Sequence, residues 1–226
     1  MNDLSEKEQL EELQLWWREN RAWILGGVII GIAILVGWRQ WATGQVESAM
    51  EASGRYESLL EQVAANELEP AREIADTLFS DYDDTVYADQ ARLAMARLYM
   101  DRGRDADAAA VLRPLADAGD EPLAHIARLR LASILLYQDN PEAVLELLPA
   151  APDSAFAARI NELRGDAYHA LGNFEAAAAA WSAVLADSRA QQTLDVNLVR
   201  MKLDDLPEPA AADGPAAGEQ EDGGTE

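Results

Sequence analysis

The chain has 226 residues, 41 of them Asp or Glu against 18 Lys or Arg, which gives a formal net charge of −23, and it has no cysteine. That charge excludes a nucleic-acid partner, because no basic face offsets it to meet phosphates, and it repels anionic lipid headgroups. The lack of thiols excludes disulfides, thiolate metal sites and a lipid-modified amino-terminal Cys, while leaving the redox compartment open.

Residues 1–21 form an acidic leader, and between Arg21 and Arg39 lies a run, Ala22 to Trp38, without any charge. As a helix that run spans about 26 Å, the short end of a bilayer core, and flanking arginines can snorkel to cover the shortfall. Trp16, Trp17 and Trp23 stand before its centre and Trp38 and Trp41 after it, where amphipathic indoles settle at the two lipid–water boundaries. Residues 22–41 therefore read as a transmembrane anchor in the lipid bilayer, since a buried core helix is rarely apolar on every side. A cleavable signal needs a basic leader and a small-residue cleavage site; neither is present, so the anchor is expected to stay attached. Lys7, Arg18 and Arg21 precede the span while Arg39 and Arg55 follow it. With a short leader in front and a long domain behind, this bias predicts a cytoplasmic amino terminus and a domain outside the cytoplasm. Gly27 and Gly31 make a small-x-x-x-small pair through which another membrane helix can approach, although glycine is common in spans anyway.

Residues 42–206 contain no run of alternating β-branched and aromatic residues, and Ala, Leu, Glu, Asp and Arg dominate. The expected fold class is all-α. Breakers at Glu69-Pro70, Arg102-Gly103-Arg104, Glu121-Pro122, Asn140-Pro141, Pro149 to Pro152 and Gly172-Asn173 separate the apolar segments. No proline occurs between Met1 and Glu69, so the helix of the span is expected to continue into the residues behind it. Similar pieces recur at a period in the mid-thirties. Ala96, Tyr99, Gly103, Ala108 and Leu112 repeat in identical register as Gly165, Tyr168, Gly172, Ala177 and Trp181. Between them Ala132, Leu135, Asp139 and Ala143 form a third copy whose turn is expected to be one residue shorter. A weaker copy pairs the helix around Tyr56 to Val63 with that around Ala71 to Leu78. Residues 207–226 carry six carboxylates, no basic residue and only Ala among apolar types, which predicts a disordered acidic tail. A saline or alkaline source accounts for such acidity as readily as a binding partner does.

This spacing resembles the tetratricopeptide repeat, in which a small residue and an aromatic on one helix and an Ala and a large residue on the next let antiparallel helices pack closely. The resemblance implies a groove lined by the first helix of each pair. Its positions carry over to Gln90, Leu93, Arg97 and Met100 in the first copy, to Ile126, Leu129, Ser133 and Leu136 in the next, and to Arg159, Glu162, Asp166 and His169 in the last. Mixed apolar and charged groups suit a helix or an extended unfolded segment, with Met and Leu giving adaptable contact. Part of such a lining is always solvated face or packing against the next repeat. Asparagines that would clamp a terminal carboxylate are missing, because Arg97, Ser133 and Asp166 occupy their places.

The acidic leader with Trp16-Trp17, the single span, the divergent repeats and the run Tyr87-Ala-Asp-Gln-Ala-Arg-Leu-Ala94 together resemble the YfgM-type ancillary subunits of the bacterial Sec translocon. What this implies is a single-pass inner-membrane protein with a periplasmic repeat domain, associated with the SecYEG translocon and the periplasmic chaperone PpiD and acting on exported or unfolded polypeptides. Two alternatives stay open: a cytoplasm-facing adaptor that recruits soluble proteins, and an envelope-assembly scaffold. Catalysis finds no support. His125 and His169 are the only histidines, neither lies in a metal-binding pattern, and no nucleophile turn or phosphate-cradling loop occurs. Asp81, Asp83 and Asp84 read as a helix-ending loop and cap. No catalytic residue, metal, cofactor or small-molecule substrate is assigned.

Overall fold

The computed structural model describes residues 6–119, 121–150 and 154–207, and among them every regular element is a helix. These fall into two compact units, residues 1–94 and 95–226. Most of the acidic tail expected from Pro207 onward lies outside the described residues.

In the first unit, α1 runs unbroken from Glu6 to Ala64, as the lack of proline predicts. By length and composition it is the one helix among the described residues able to cross a membrane, and its apolar stretch is uncovered. Its far end leaves the lipid-like pattern and becomes a packing helix. Ala52 and Leu59 are fully buried, as are Ala71, Ala75 and Leu78 of α2 (Leu68–Asp81), which packs against it. This is the weak first copy anticipated from sequence. Polar contacts fix the loop behind α2 to α1. The Tyr82 hydroxyl donates to Glu51 Oε2 at 2.8 Å and accepts from Arg55 Nε at 3.4 Å, and Gln45 Nε2 donates to Asp84 at 3.3 Å. The Tyr82 hydrogen bond holds the Arg55 guanidinium above its ordinary pKa. Thr85 closes the loop by donating to the Tyr82 carbonyl at 2.7 Å, and α3 (Val86–Asp101) follows.

The second unit contains the end of α3, then α4 (Asp105–Ala116), α5 (Pro122–Tyr137), α6 (Pro141–Leu147), α7 (Ala157–Ala170), α8 (Phe174–Ala186), the single turn α9 (Ala190–Thr193) and α10 (Val196–Asp204). One device ends the first helix of every pair. Asn66, Gly103, Asp139 and Gly172 all have positive φ, at 58°, 66°, 57° and 72°. After each, the next amide reaches back to the carbonyl five residues earlier, at 2.8–3.0 Å: Glu67 to Gln62, Arg104 to Tyr99, Asn140 to Leu135 and Asn173 to Tyr168. This left-handed cap satisfies carbonyls the helix leaves free; Gly adopts it without strain, and Asn and Asp are the side chains that tolerate it best.

The caps correct the expected shorter turn of the third copy. Asp139 occupies the place of Gly103 and Gly172, and the following helix begins two residues later in all three copies. Asn140 caps α6 by accepting from the Ala143 amide at 3.4 Å, as Asn173 caps α8 by accepting from Ala176 at 3.2 Å. The register is therefore the same, and the residues matching Ala108/Leu112 and Ala177/Trp181 are Val144, fully buried, and Leu148, nearly so. Ala143 lies one place too early. With the register corrected, residue size is reciprocal between matching positions: Leu59 with Ala75, Ala96 with Leu112, Ala132 with Leu148, Gly165 with Trp181. At the last pair the complementarity is absolute, because a Cβ on Gly165 would meet the Trp181 indole.

Candidate functional site

The helix positions fixed by these caps leave one open apolar cavity between α3, α4 and α5, of about 460 Å³. Ala96, Arg97 and Met100 line it from α3, Leu112 from α4, and Arg130, Ser133, Ile134 and Tyr137 from α5. The three- and four-residue spacings place each set on one helix face. Arg97 stands at its edge and pairs with Asp101 at 3.7 Å, an exposed contact worth little in water. Tyr137 is 73% exposed. An apolar floor with a guanidinium and a phenol at the rim, of a volume ordinary for ligand pockets, accommodates an aliphatic or aromatic side chain of another molecule. Its lining holds no carboxylate, and the Ser133 hydroxyl donates to the Leu129 carbonyl at 3.0 Å.

A smaller cavity of about 300 Å³ lies among His125, Arg128, Leu129, Leu147, Leu148, Pro149, Phe156 and Ile160. Its polar groups are already engaged. Arg128 donates to the Ala116 carbonyl at 2.7 Å and to the Gly119 carbonyl, and the His125 ring stacks on Phe156 at 5.2 Å. This guanidinium ties the loop between α4 and α5 to α5.

The last copy is closed. Glu162 is buried, its carboxylate 2.5 Å from Arg159 Nη1 and 3.6 Å from Lys202 Nζ of α10. Lys202 also donates to both oxygens of Asp166, at 2.7 and 2.8 Å, and Asp166 accepts from Trp181 Nε1 at 3.2 Å. Arg159 reaches the Ser133 hydroxyl at 3.5 Å. Burial of the Glu162 carboxylate is tolerated because Arg159 donates to it and the Lys202 ammonium pairs with it. The α10 helix that brings Lys202 there caps itself with Asp195, which accepts from the Asn197 and Leu198 amides. Its Val199 enters a cluster with Ala158, Ala177, Trp181, Val184 and Ala190.

The groove residues implied by the repeat resemblance therefore separate. Arg97, Met100 and Ser133 come together at the large cavity, and Leu129 lines the small one. Arg159, Glu162 and Asp166 form the ion network, and the exposed His169 ring lies 5.6 Å from Phe174 and 5.7 Å from Trp181. Ile126 and Leu136 are half-buried and line neither cavity. Gln90 and Leu93 belong to the first unit, the former half-buried and the latter buried. Ile134, Tyr137 and Arg130 were not selected, although Tyr137 is one turn beyond Ser133. Gly27 and Gly31 have no atom of the chain near the place a Cβ would take. Among the described residues no group of three His, Asp or Glu is placed to hold a metal ion.

A model of the tetratricopeptide repeat-like domain matches residues 14–208. The chain is 33% identical over 180 residues to a protein of Escherichia coli (strain K12) named ancillary SecYEG translocon subunit, covering 79% of this chain and 86% of that one. A protein of the same name from Haemophilus influenzae is 29% identical over 207 residues, 90% of this chain and 98% of its own.

Proposed function

Because the chain belongs to the tetratricopeptide repeat-like family of ancillary SecYEG translocon subunits, we propose that it is a non-catalytic, membrane-anchored subunit of the Sec machinery that holds polypeptide segments. The observation that carries this is the open apolar cavity between α3, α4 and α5 in a chain whose other end is a helix able to cross a membrane. Residues 22–41 anchor the protein in the inner membrane, and residues 42–206 bind. Tethering raises the local concentration of the cavity for chains leaving the channel, so modest contacts suffice. The domain faces the periplasm, where PpiD is its implied co-worker. Gly27 and Gly31 give a neighbouring membrane helix a close approach.

A photo-reactive residue at Met100 or Tyr137, activated in intact cells, is expected to capture exported polypeptides. Capture no greater than from an exposed position such as Asp76 would overturn the cavity reading. Protease added to spheroplasts tests the side: digestion of the domain supports a periplasmic location, while protection until lysis favours the cytoplasmic adaptor. Replacing Gly27 and Gly31 by Ile is expected to lower co-purification with SecYEG; unchanged recovery removes the packing role.

A further inference from the structure

The first helix pair is tied directly to the span. Residues 22–41, as a helix, cover the roughly 30 Å of a hydrocarbon core, so Trp41 marks its edge. Because α1 runs on without a break to Ala64, every position behind Trp41 has a set height along the axis, about 1.5 Å per residue. Gln45 stands about 6 Å beyond the edge, within a headgroup layer roughly 5–8 Å thick, and Ala64 about 35 Å beyond it. The loop between α2 and α3 is attached at the low end of this scale. Gln45 Nε2 donates to Asp84 at 3.3 Å, while the Tyr82 hydroxyl bonds farther along the same helix, to Glu51 and Arg55. Asp83 and Asp84 are exposed, and Tyr82 and Thr85 on either side of them are buried, so the two carboxylates form the tip of the loop. A tilt of about 20° moves a loop packed about 9 Å from the axis by only about 3 Å, which leaves the tip at headgroup level.

The geometry points to a second membrane contact: the α2–α3 loop rests on the headgroup layer of the bilayer that α1 spans, with Asp83 and Asp84 among the ammonium groups of zwitterionic phospholipids. Continuity with the span fixes what lies under the loop, and charge fixes which lipids. Two carboxylates are too costly to enter hydrocarbon, and they repel anionic headgroups. Zwitterionic lipids instead turn ammonium groups outward past their phosphates, where a carboxylate is attracted. With the span under α1 and the loop beside it, the pair has two points of support and stands upright on the membrane. The inference rests on α1 being membrane-inserted, and it holds for either orientation of the span.

The chain contains no cysteine, so one fluorophore can be placed on the whole chain through Ile30→Cys, Glu57→Cys, Ala64→Cys or Asp83→Cys, and each protein reconstituted in phosphatidylcholine vesicles. Nitroxide quenchers are carried either on the lipid headgroup or near the end of the acyl chain. The Asp83 label is expected to lose most of its emission to the headgroup nitroxide and little to the deep one, while the Glu57 and Ala64 labels keep theirs. Replacing much of the lipid by phosphatidylglycerol, at a constant fraction of quencher, is expected to weaken quenching at Asp83, and added salt to restore it. Quenching at Asp83 no greater than at Ala64 would overturn the surface contact, whether the pair stands clear of the bilayer or lies flat on it. Quenching indifferent to phosphatidylglycerol would overturn the contact with ammonium groups. An Ile30 label that escapes the deep nitroxide would overturn the inserted span on which both rest.

Discussion

The first and last copies of the second unit use the same framework and reach opposite results. At the α3–α4 pair, Ala96 and Leu112 line a cavity that stays open; at the α7–α8 pair, Gly165 meets Trp181 and the space is filled. The backbone caps at Gly103 and Gly172 are alike, so the difference lies in side-chain volume and in the helix that follows. Lys202 of α10 then neutralises Glu162 and Asp166. A repeat array of this kind keeps an open cavity where packing is incomplete and closes it where packing is complete, without any change of fold.

The largest effect comes from reopening the closed copy. Trp181→Ala removes the indole that packs at Gly165 and that donates to Asp166, and a loss of about 4 kcal/mol is expected from unfolding in denaturant. Gly165→Ala sharpens the test through its sign. In the wild-type background the added methyl collides with the indole and costs about 2 kcal/mol. In the Trp181→Ala background the obstacle is gone, and the better helix propensity of Ala returns about 1 kcal/mol. If Gly165→Ala had the same effect in both, the two residues would not be partners.

Lys202→Met comes next. It retains the aliphatic stem but leaves Asp166 with only the indole donor and Glu162 with Arg159, and about 2 kcal/mol of stability is expected to be lost. Faster amide exchange of α10 would locate that loss in the closing helix. Restoration by Lys202→Arg supports a charge role; no change in stability would mean that the apolar contacts of Val196, Val199 and Leu203 hold α10.

Much of this was legible in the sequence because Gly, Pro and Asn carry local geometry. The breaks at Gly103, Asn140-Pro141 and Gly172-Asn173 and the unbroken α1 all follow from residue type. The third copy was misregistered because Asp139 adopts the left-handed conformation that spacing alone assigns to glycine, which moved the packing position from Val144 to Ala143. At the site, Arg97, Met100 and Ser133 were reached through the repeat resemblance, and one further turn leads from Ser133 to Tyr137. The closure of the last copy was not legible. It depends on Lys202, far beyond Asp166 in the chain, and no repeat pattern marks α10. Nor does a residue type reveal a cavity, which is a difference between volumes.

The open copy predicts a dissociation between folding and binding. Tyr137→Ala truncates a mostly solvated ring, so stability is expected to change by less than about 0.5 kcal/mol, while capture of polypeptides from Met100 falls. A large loss of stability instead would make Tyr137 a packing residue and the cavity a part of the core.

The smallest effect concerns the link by which the chain turns from α8 toward α10. Asp187 accepts from the Arg189 amide at 2.9 Å and its guanidinium at 2.9 and 3.0 Å, and the side-chain bond above all holds the carboxyl below its ordinary pKa. A carboxylate whose folded pKa is depressed stabilises the fold above its unfolded pKa and loses that contribution as pH falls through the folded value. Asp187→Asn is therefore expected to melt slightly below the wild type at neutral pH, with the gap closing on acidification below the ordinary carboxylate range and narrowing in high salt. A gap that stayed constant with pH would assign the link to the backbone geometry at Asp187 rather than to its charge.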